Sequence, residues 1–322
     1  MDRYEPSNLS DFTVAVFSYN RGALLENCVT SCLENLLGAK IIVYDDDSDD
    51  EFTQGILREL TFRRVEIVKA NPSNQSERHG GLYRNMQRAL DECKTRFLVF
   101  LQDDTQVVRR LDLSTSEIIR GTFADPDIAF LRPQFFKQMD VSRFLPHFKK
   151  ASIHGTIRPK SEYKSCDIDH AYCDVMIADA KLLQSSKWQF QMLERDNQTQ
   201  ARDRFRYMPY LQHPFVFYCP EVPSYRDRKL YWASRIVQNS REGQIINFHQ
   251  MTEEKVSELF KIDDGCLPVA ENFLAPSSAD VVFPFVFQDY ARTWWLHALY
   301  KVESRLWRMA SPIRKVFRKR GA

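Results

Sequence analysis

The chain has 322 residues, 43% of them hydrophobic and 27% charged, with 10 Gly and 14 Pro. Those proportions exclude a collagen-like, low-complexity or wholly disordered chain, and the length suffices for a substantial core. A net charge of +2 predicts no global attraction to nucleic acid. No run of ~18 apolar residues is present, so no membrane-spanning helix is expected. The opening Met1-Asp2-Arg3-Tyr4-Glu5-Pro6 lacks the apolar stretch of a signal peptide. The cysteines form no CxxC pair, and Cys28 and Cys32 fall on one helical face as apolar filling. That usage points to a reducing, cytoplasmic compartment.

Residues 12–17 read as a short buried strand, followed by the polar turn Ser18-Tyr19-Asn20-Arg21-Gly22. Leu24, Leu25, Cys28, Val29, Cys32, Leu33, Leu36 and Leu37 then recur at three- and four-residue steps, the spacing of an amphipathic helix, and Gly38 stops it. Residues 40–44 give a second strand, followed by the acidic run 45–50. A helix over about 51–60 precedes a third strand at 65–68. Gly80-Gly81 introduces a helix over about 82–94, and residues 97–101 form a fourth strand that runs into Gln102-Asp103-Asp104.

Strand and helix therefore alternate through residue 104, and the strands are almost continuously apolar. The pattern implies an α/β fold: a mostly parallel, Rossmann-like central sheet with helices on both faces. Ligands of such sheets bind beyond the carboxyl ends of the strands, where both acidic clusters fall. Past residue 110 the pattern is less regular. Residues 128–131 and 175–178 are candidate strands, 192–207 a loop or irregular helix, and 216–218 a strand. No repeat or Gly/Ser linker divides the chain, which favours one continuous domain with an elaborated second half.

Asp103 and Asp104 are adjacent carboxylates at a strand end. Packed together they repel, and a hard divalent cation such as Mn2+ or Mg2+ removes that penalty. The plainer alternative is a solvated, helix-capping acidic turn. In the 45–50 cluster, an ionised Asp can accept from a nucleobase N–H or a ribose hydroxyl. Its alternative is a polar turn with Asp or Ser as N-cap. Gly80-Gly81-Leu82-Tyr83-Arg84-Asn85 opens a helix where Arg84 can meet a phosphate, yet it is neither a GxGxxG loop nor a P-loop. His213 and His249 are weighed as late metal ligands against structural histidines. No serine-protease-like triad or zinc-spaced Cys/His set stands out.

Four segments in order carry a family resemblance: Val16-Phe17-Ser18-Tyr19-Asn20-Arg21, Ile41-Ile42-Val43-Tyr44-Asp45-Asp46-Asp47-Ser48, Gly81 through Asn85, and Phe100-Leu101-Gln102-Asp103-Asp104. Their spacing resembles the nucleotide-sugar-binding half of family 2 glycosyltransferases of the GT-A fold, of the kind that build bacterial polysaccharides and glycolipids. The chain departs from the family pattern at Ser18 (usually Thr), at Asp47 (usually Gly), and in its shorter acidic run at 102–104. The resemblance covers about residues 12–110. It implies that Asp45 contacts the nucleobase with Asp46 beside it. Ser18, Asn20 and Arg21 would form the first loop around the nucleotide, and Arg84 would lie near the diphosphate or ribose. Asp103 would contact ribose or donor sugar, and Asp104 would bind the divalent metal. The family also uses a general base in the second half, often in a Glu-Asp motif. Glu194 and Asp196 of Leu193-Glu194-Arg195-Asp196-Asn197 are the nearest candidates, with a solvated polar loop as the alternative and Asp174, Asp203 and Glu221 as competitors.

The C-terminal segment has its own pattern. From Ser304 to Ala322 there is no acidic residue, while Arg305, Arg308, Arg314, Lys315, Arg318, Lys319 and Arg320 are basic. Trp295, Leu299, Val302, Leu306, Met309, Ile313 and Val316 form one apolar stripe, with Pro312 as a kink or restart. This is the pattern of a basic amphipathic helix that attaches through 295–320 to an anionic membrane surface, against the alternative of a helix packed on the domain. The expected organisation is thus a nucleotide-sugar-binding half at 1–110, an acceptor-binding half at 111–290 and a basic amphipathic segment at 291–322. The expected activity is metal-assisted, inverting transfer of a sugar from a nucleotide-sugar donor to a saccharide or lipid-linked saccharide acceptor. It would take place in the cytoplasm or peripherally on the inner membrane face, without nucleic acid. A nucleotidyltransferase and a non-catalytic nucleotide- or carbohydrate-binding scaffold are the rival functions. The first is disfavoured by the single Gly in the turn after the first strand.

Overall fold

The computed structural model describes residues 8–70, 80–148, 155–160, 171–220, 231–233, 235–236, 245–263, 266–278, 281, 285 and 293–318, with the side chains of 80 and 308–318 left aside. The first half follows the expected alternation: β1 (Phe12–Ser18), α1 (Gly22–Asn35), β2 (Lys40–Asp45), α2 (Glu51–Phe62), β3 (Glu66–Lys69), α3 (Gly80–Glu92) and β4 (Phe97–Gln102). These four strands are mutually parallel in the spatial order β3-β2-β1-β4. The sheet continues with β8 (Met176–Asp179), antiparallel to β4, and ends on β6 (Phe130–Leu131).

Side-chain alternation along β1 builds a core on each face of the sheet. Val14 and Val16 pack with Leu25, Cys28, Val29 and Cys32 of α1 and with Ile56, Leu57 and Leu60 of α2. Ala15 and Phe17 pack with Tyr83, Met86, Ala89 and Leu90 of α3 and with Leu183 of α6 (Ala180–Ser185). A strand buried on both sides needs both faces apolar, which is why β1 and β4 lack the polar alternation of a half-exposed strand. The turn after α1 uses Gly38 at φ 85°, a left-handed conformation that costs glycine little.

The second half adds β5 (Thr105–Val107), which pairs antiparallel with β10 (Val216–Tyr218), and β7 (Thr156–Ile157), which pairs with β9 (Tyr210–Leu211). Helices α4 (Leu113–Thr122), α5 (Val141–Phe144), α7 (Glu194–Arg204), α8 (Glu253–Leu259) and α9 (Ala270–Phe273) surround them. A third apolar cluster joins Val108, Phe135, Phe217, Phe248, Met251, Leu259 and Phe273. Arg109 braces this half from within. Its buried guanidinium donates to Asp112 Oδ2 at 2.9 Å and to the Pro214 carbonyl at 2.9 Å, while Asp112 caps α4.

Residues 194–204, within a stretch read from sequence as a loop or irregular helix, form a regular one. Only Asn197 and Ala201 are buried on α7, so the apolar periodicity is too sparse to announce it. Its charges suit the macrodipole instead, with Glu194 and Asp196 in the first turn and Arg202 and Arg204 in the last. The basic C-terminal segment is a single helix, α10 (Trp294–Arg318), and Pro312 lies inside it without restarting it. Leu296 and Glu303 of α10 are buried, packed on the side of residues 231–233. Tyr231 meets Tyr300 at 4.8 Å, and the Trp232 N–H donates to Glu303 at 2.5 Å.

Cys28, Cys32, Cys93, Cys173 and Cys219 are buried thiols, and Cys266 is an exposed one. Among the described residues no helix is long and apolar enough to cross a membrane.

Candidate functional site

The chain lays β2 and β3 on one side of β1 before it returns to place β4 on the other. That reversal leaves a crevice at the carboxyl ends of β1 and β4, the position where open α/β sheets bind ligands. Register fixes what meets there. Ser18 pairs with Asp45 across β1 and β2, while Phe17 pairs with Gln102 across β1 and β4, so Asp103 emerges beside Ser18.

Ser18 Oγ donates to Asp103 Oδ2 at 2.9 Å, and the Tyr19 N–H reaches the same oxygen at 3.4 Å. Arg21 Nη1 lies 3.0 Å from Asp103 Oδ1 and 3.3 Å from Asp104 Oδ2. Ser18, Arg21, Asp103 and Asp104 are buried. Asp104 Oδ1 is also buried, and no hydrogen-bond donor meets it. Burial pushes both carboxyls upward against the opposing pull of Arg21, and Asp104 reaches about 6 because the Asp103 charge adds to its desolvation.

The second acidic cluster is held differently. Both oxygens of buried Asp45 accept from Ser48, from the N–H at 3.0 Å and from Oγ at 2.6 Å, and burial raises its carboxyl despite those bonds. Asn20 joins the two loops: its N–H donates to Ser48 Oγ at 2.9 Å, and its Oδ1 accepts from the Asp49 N–H at 2.9 Å. Asn20 and Asp47 both have positive φ, at 50° and 63°, a conformation Asn and Asp tolerate in turns. Asp50 caps α2 by accepting from the Thr53 N–H at 2.8 Å, so part of the cluster is the capping turn that the sequence also allowed. The Asp46 carboxylate lies against Gly81, where an added Cβ would overlap it. It thereby approaches the N-terminus of α3, whose partial positive charge favours an anion. Arg84 stands one turn into the same helix, half-buried.

Glu194 and Asp196 occupy the exposed first turn of α7. The Glu194 charge acts on buried Tyr172 and contributes to raising its hydroxyl, behind burial and Asp174. Asp174 accepts from Tyr83 at 3.0 Å and from Tyr172 at 2.9 Å, one hydroxyl on each oxygen. Extended by two residues, the β4–β8 register brings Asp174 level with Gln102, at the same end of the sheet as Asp103. Asp203 lies farther along α7, exposed and paired loosely with Arg202 at 3.8 Å. Glu221 lies outside the described residues. The His213 ring stacks on Phe260 at 4.3 Å, and His249 is exposed.

No local pattern announces the neighbours of Asp104 from the second half. The Cys219 N–H donates to the Asp104 carbonyl at 2.7 Å, and the adjoining Tyr218 pairs with Thr105. Lys137 Nζ stands 5.7 Å from the centre of the Tyr218 ring. Neither contact follows from periodicity, because both depend on how irregular segments fold back onto β5.

Among the described residues no cluster of three or more His, Cys, Asp or Glu side chains is assembled around one point. The donor set nevertheless fits a hard divalent cation that takes its other ligands from substrate and water. Two adjacent carboxylates are present, one with a buried oxygen lacking a partner.

Residues 13–157 match the family described as Glycosyl transferase family 2. No curated protein matches the chain. Among solved structures, the chain is similar to residues 1–349 of S. aureus TarS, at 14% identity and a TM-score of 0.42. That likeness covers 64% of this chain and 60% of TarS 1–349. It is similar to the mannosyltransferase PcManGT from Pyrobaculum calidifontis, in complex with GDP-Man and Mn2+, at 14% identity, with 84% and 71% covered and a TM-score of 0.45. It is also similar to glucosyl-3-phosphoglycerate synthase from Mycobacterium tuberculosis, in complex with Mn2+, UDP-Glc and glycerol 3-phosphate. There the identity is 14%, the coverage 55% and 61%, and the TM-score 0.34. Residues 13–157, which contribute Ser18, Arg21, Asp45, Asp103 and Asp104 to the crevice, are thus the part of the chain that matches glycosyl transferase family 2.

Proposed function

We propose that this protein transfers a sugar from a nucleotide-sugar donor to an acceptor hydroxyl with inversion at the anomeric carbon. One observation carries the reading: within a family 2 segment, Asp103 and Asp104 sit at the sheet's switch point, and Asp104 presents a buried anionic oxygen without a partner. Asp45 accepts an N–H of the nucleobase, its orientation set by Ser48. Asp103 takes a ribose or sugar hydroxyl, held in place by Ser18 and Arg21. Asp46 and Arg84 line the donor side at the start of α3, and Asn20 holds the two loops together.

Asp104, next to Asp103, would hold the divalent cation, and Mn2+ or Mg2+ bound there would neutralise charge on the departing nucleoside diphosphate. Glu194 is the base: it takes the proton of the acceptor hydroxyl as that oxygen bonds to the anomeric carbon and the bond to the diphosphate breaks. Residues 1–110 then form the donor half and 111–290 the acceptor half. The test is turnover of UDP-, GDP- and dTDP-sugars with Mn2+, followed by release of the nucleoside diphosphate. Release from one donor class supports the reading. Donor binding without any release indicates a scaffold, and pyrophosphate-forming chemistry indicates a nucleotidyltransferase.

The 291–322 segment suggests where the acceptor resides. On α10, Trp295, Val302 and Leu306 are exposed on one stripe, Val302 by 55% and Leu306 by 53%, beside the face that covers Ala233. Seven Lys and Arg follow Ser304 without an acid. We assign this surface to an anionic membrane, which suits a lipid-linked acceptor in surface polysaccharide or glycolipid assembly. Co-sedimentation with phosphatidylglycerol vesicles, weakened by Leu306→Glu and by salt, supports it. Equal binding to neutral vesicles contradicts it.

A further inference from the structure

Lys137 belongs to none of the family motifs, yet it rests on the strand pair that begins directly after Asp104. Its ammonium stands over the Tyr218 ring, and Tyr218 is paired with Thr105, the residue that follows Asp104. Gln134, on the same segment, donates to the Val175 carbonyl at 2.6 Å and to the Tyr218 hydroxyl at 3.4 Å, while its Oε1 is buried with no partner. Two buried oxygens without donors, Asp104 Oδ1 and Gln134 Oε1, therefore flank the strand pair on which Lys137 rests. The charges that act on Lys137 are Asp140, Glu271 and Asp104, with Arg132 opposing them, and its burial lowers the ammonium to about 8.

The charge balance of the crevice gives this lysine a use. Asp103, Asp104 and Arg21 together leave about one negative charge, which a divalent cation reverses to about one positive charge. A nucleoside diphosphate released from a sugar carries about three negative charges, and the charge gained on release develops on the distal phosphate. A desolvated ammonium next to Asp104 meets that charge in surroundings where water screens it little.

We propose that Lys137, set over Tyr218 beside Asp104, is the cationic contact for the distal phosphate of the nucleoside diphosphate. The proposal rests on the donor-binding reading above and adds a residue from the second half of the chain to that site. It distinguishes diphosphates from monophosphates, because a nucleoside monophosphate lacks the group that Lys137 meets.

The test is calorimetric titration of UDP, GDP and dTDP, and of UMP, GMP and dTMP, in Mn2+. Wild type is compared with Lys137→Gln, Lys137→Met and Lys137→Arg. The proposal predicts that Lys137→Gln and Lys137→Met weaken the preferred diphosphate by about tenfold or more, the scale of a lost charge-assisted hydrogen bond. The matching monophosphate changes by less than about twofold, and Lys137→Arg recovers most of the loss. Thermal unfolding without ligand identifies a variant that has lost its fold, in which case the remaining substitutions decide. Unchanged diphosphate affinity, or equal losses for diphosphate and monophosphate, overturns the proposal and leaves the donor-site reading standing. Failure of wild type to bind any of the six nucleotides overturns both.

Discussion

Arg21 Nη1 lies 3.3 Å from Asp104 Oδ2, so a side chain from the loop after β1 reaches across the crevice to a carboxylate that follows β4. The same nitrogen also serves Asp103. Without Arg21, two buried carboxylates face each other with no cation. Arg21→Met is predicted to lower unfolding stability by about 3 kcal/mol, the scale for removing one partner of a buried ion pair. Mn2+ should stabilise this variant more than it stabilises wild type, because it supplies the missing charge. Denaturant unfolding with and without Mn2+ measures both effects. A variant as stable as wild type in EDTA contradicts the electrostatic role of Arg21.

The raised carboxyls give the site a pH signature. Asp104 titrates at about 6 in the folded protein, above its usual value near 4, because of burial and the Asp103 charge. A group raised on folding contributes stability that is fully present below its unfolded pKa and is lost as pH rises through the folded one. The metal-free protein is therefore predicted to lose this contribution between about pH 4 and pH 6. Mn2+ affinity should move in the opposite sense and level off above that window. Asp104→Asn should flatten both profiles, and Mn2+ affinity independent of pH between 5 and 7 contradicts the assignment.

Much of this arrangement is legible in the sequence, for definite reasons. The strands β1, β2 and β4 are apolar runs bounded by polar turns, and the acids that follow them fall at carboxyl ends wherever the strands are parallel. Pairings that join distant segments are not legible. Strand β6 has two residues, and nothing local announces that β8 joins β4 antiparallel. The tyrosines that hold Asp174 come from α3 and from the approach to β8. The family resemblance likewise implies that Arg21 and Asn20 lie in the first loop around the nucleotide. The structure bonds the first to the acid pair and the second to the neighbouring loop, and a motif does not reveal such internal partners.

Gly81 supplies a steric test of the donor side. A Cβ there meets the Asp46 carboxylate, which must turn away from the start of α3. Gly81→Ala is predicted to destabilise the fold by about 1 kcal/mol, the low end of overpacking because only the end of a side chain has to move. Asp46→Ala should relieve part of that cost, so the two substitutions should be non-additive in a double-mutant cycle. Strict additivity contradicts the contact.

The two carboxylates of the first turn of α7 separate kinetically. Glu194→Gln is predicted to lower kcat by about 10²–10⁴-fold, the contribution of a general base, with donor affinity retained. Asp196→Asn, which removes a solvated charge on the same turn, should leave kcat within a few-fold. Loss of turnover confined to Asp196→Asn, or to Asp174→Asn, transfers the role to that residue.

The most direct measurement is the thermal shift produced by UDP-, GDP- and dTDP-sugars with Mn2+ or EDTA, on wild type and on Asp104→Asn. A ligand that binds only the folded state raises apparent stability by mass action. The structure predicts a shift for one nucleotide class that requires Mn2+ and disappears in Asp104→Asn. A shift of equal size in EDTA, or one that survives Asp104→Asn, contradicts a metal-assisted donor site at the ends of β1 and β4.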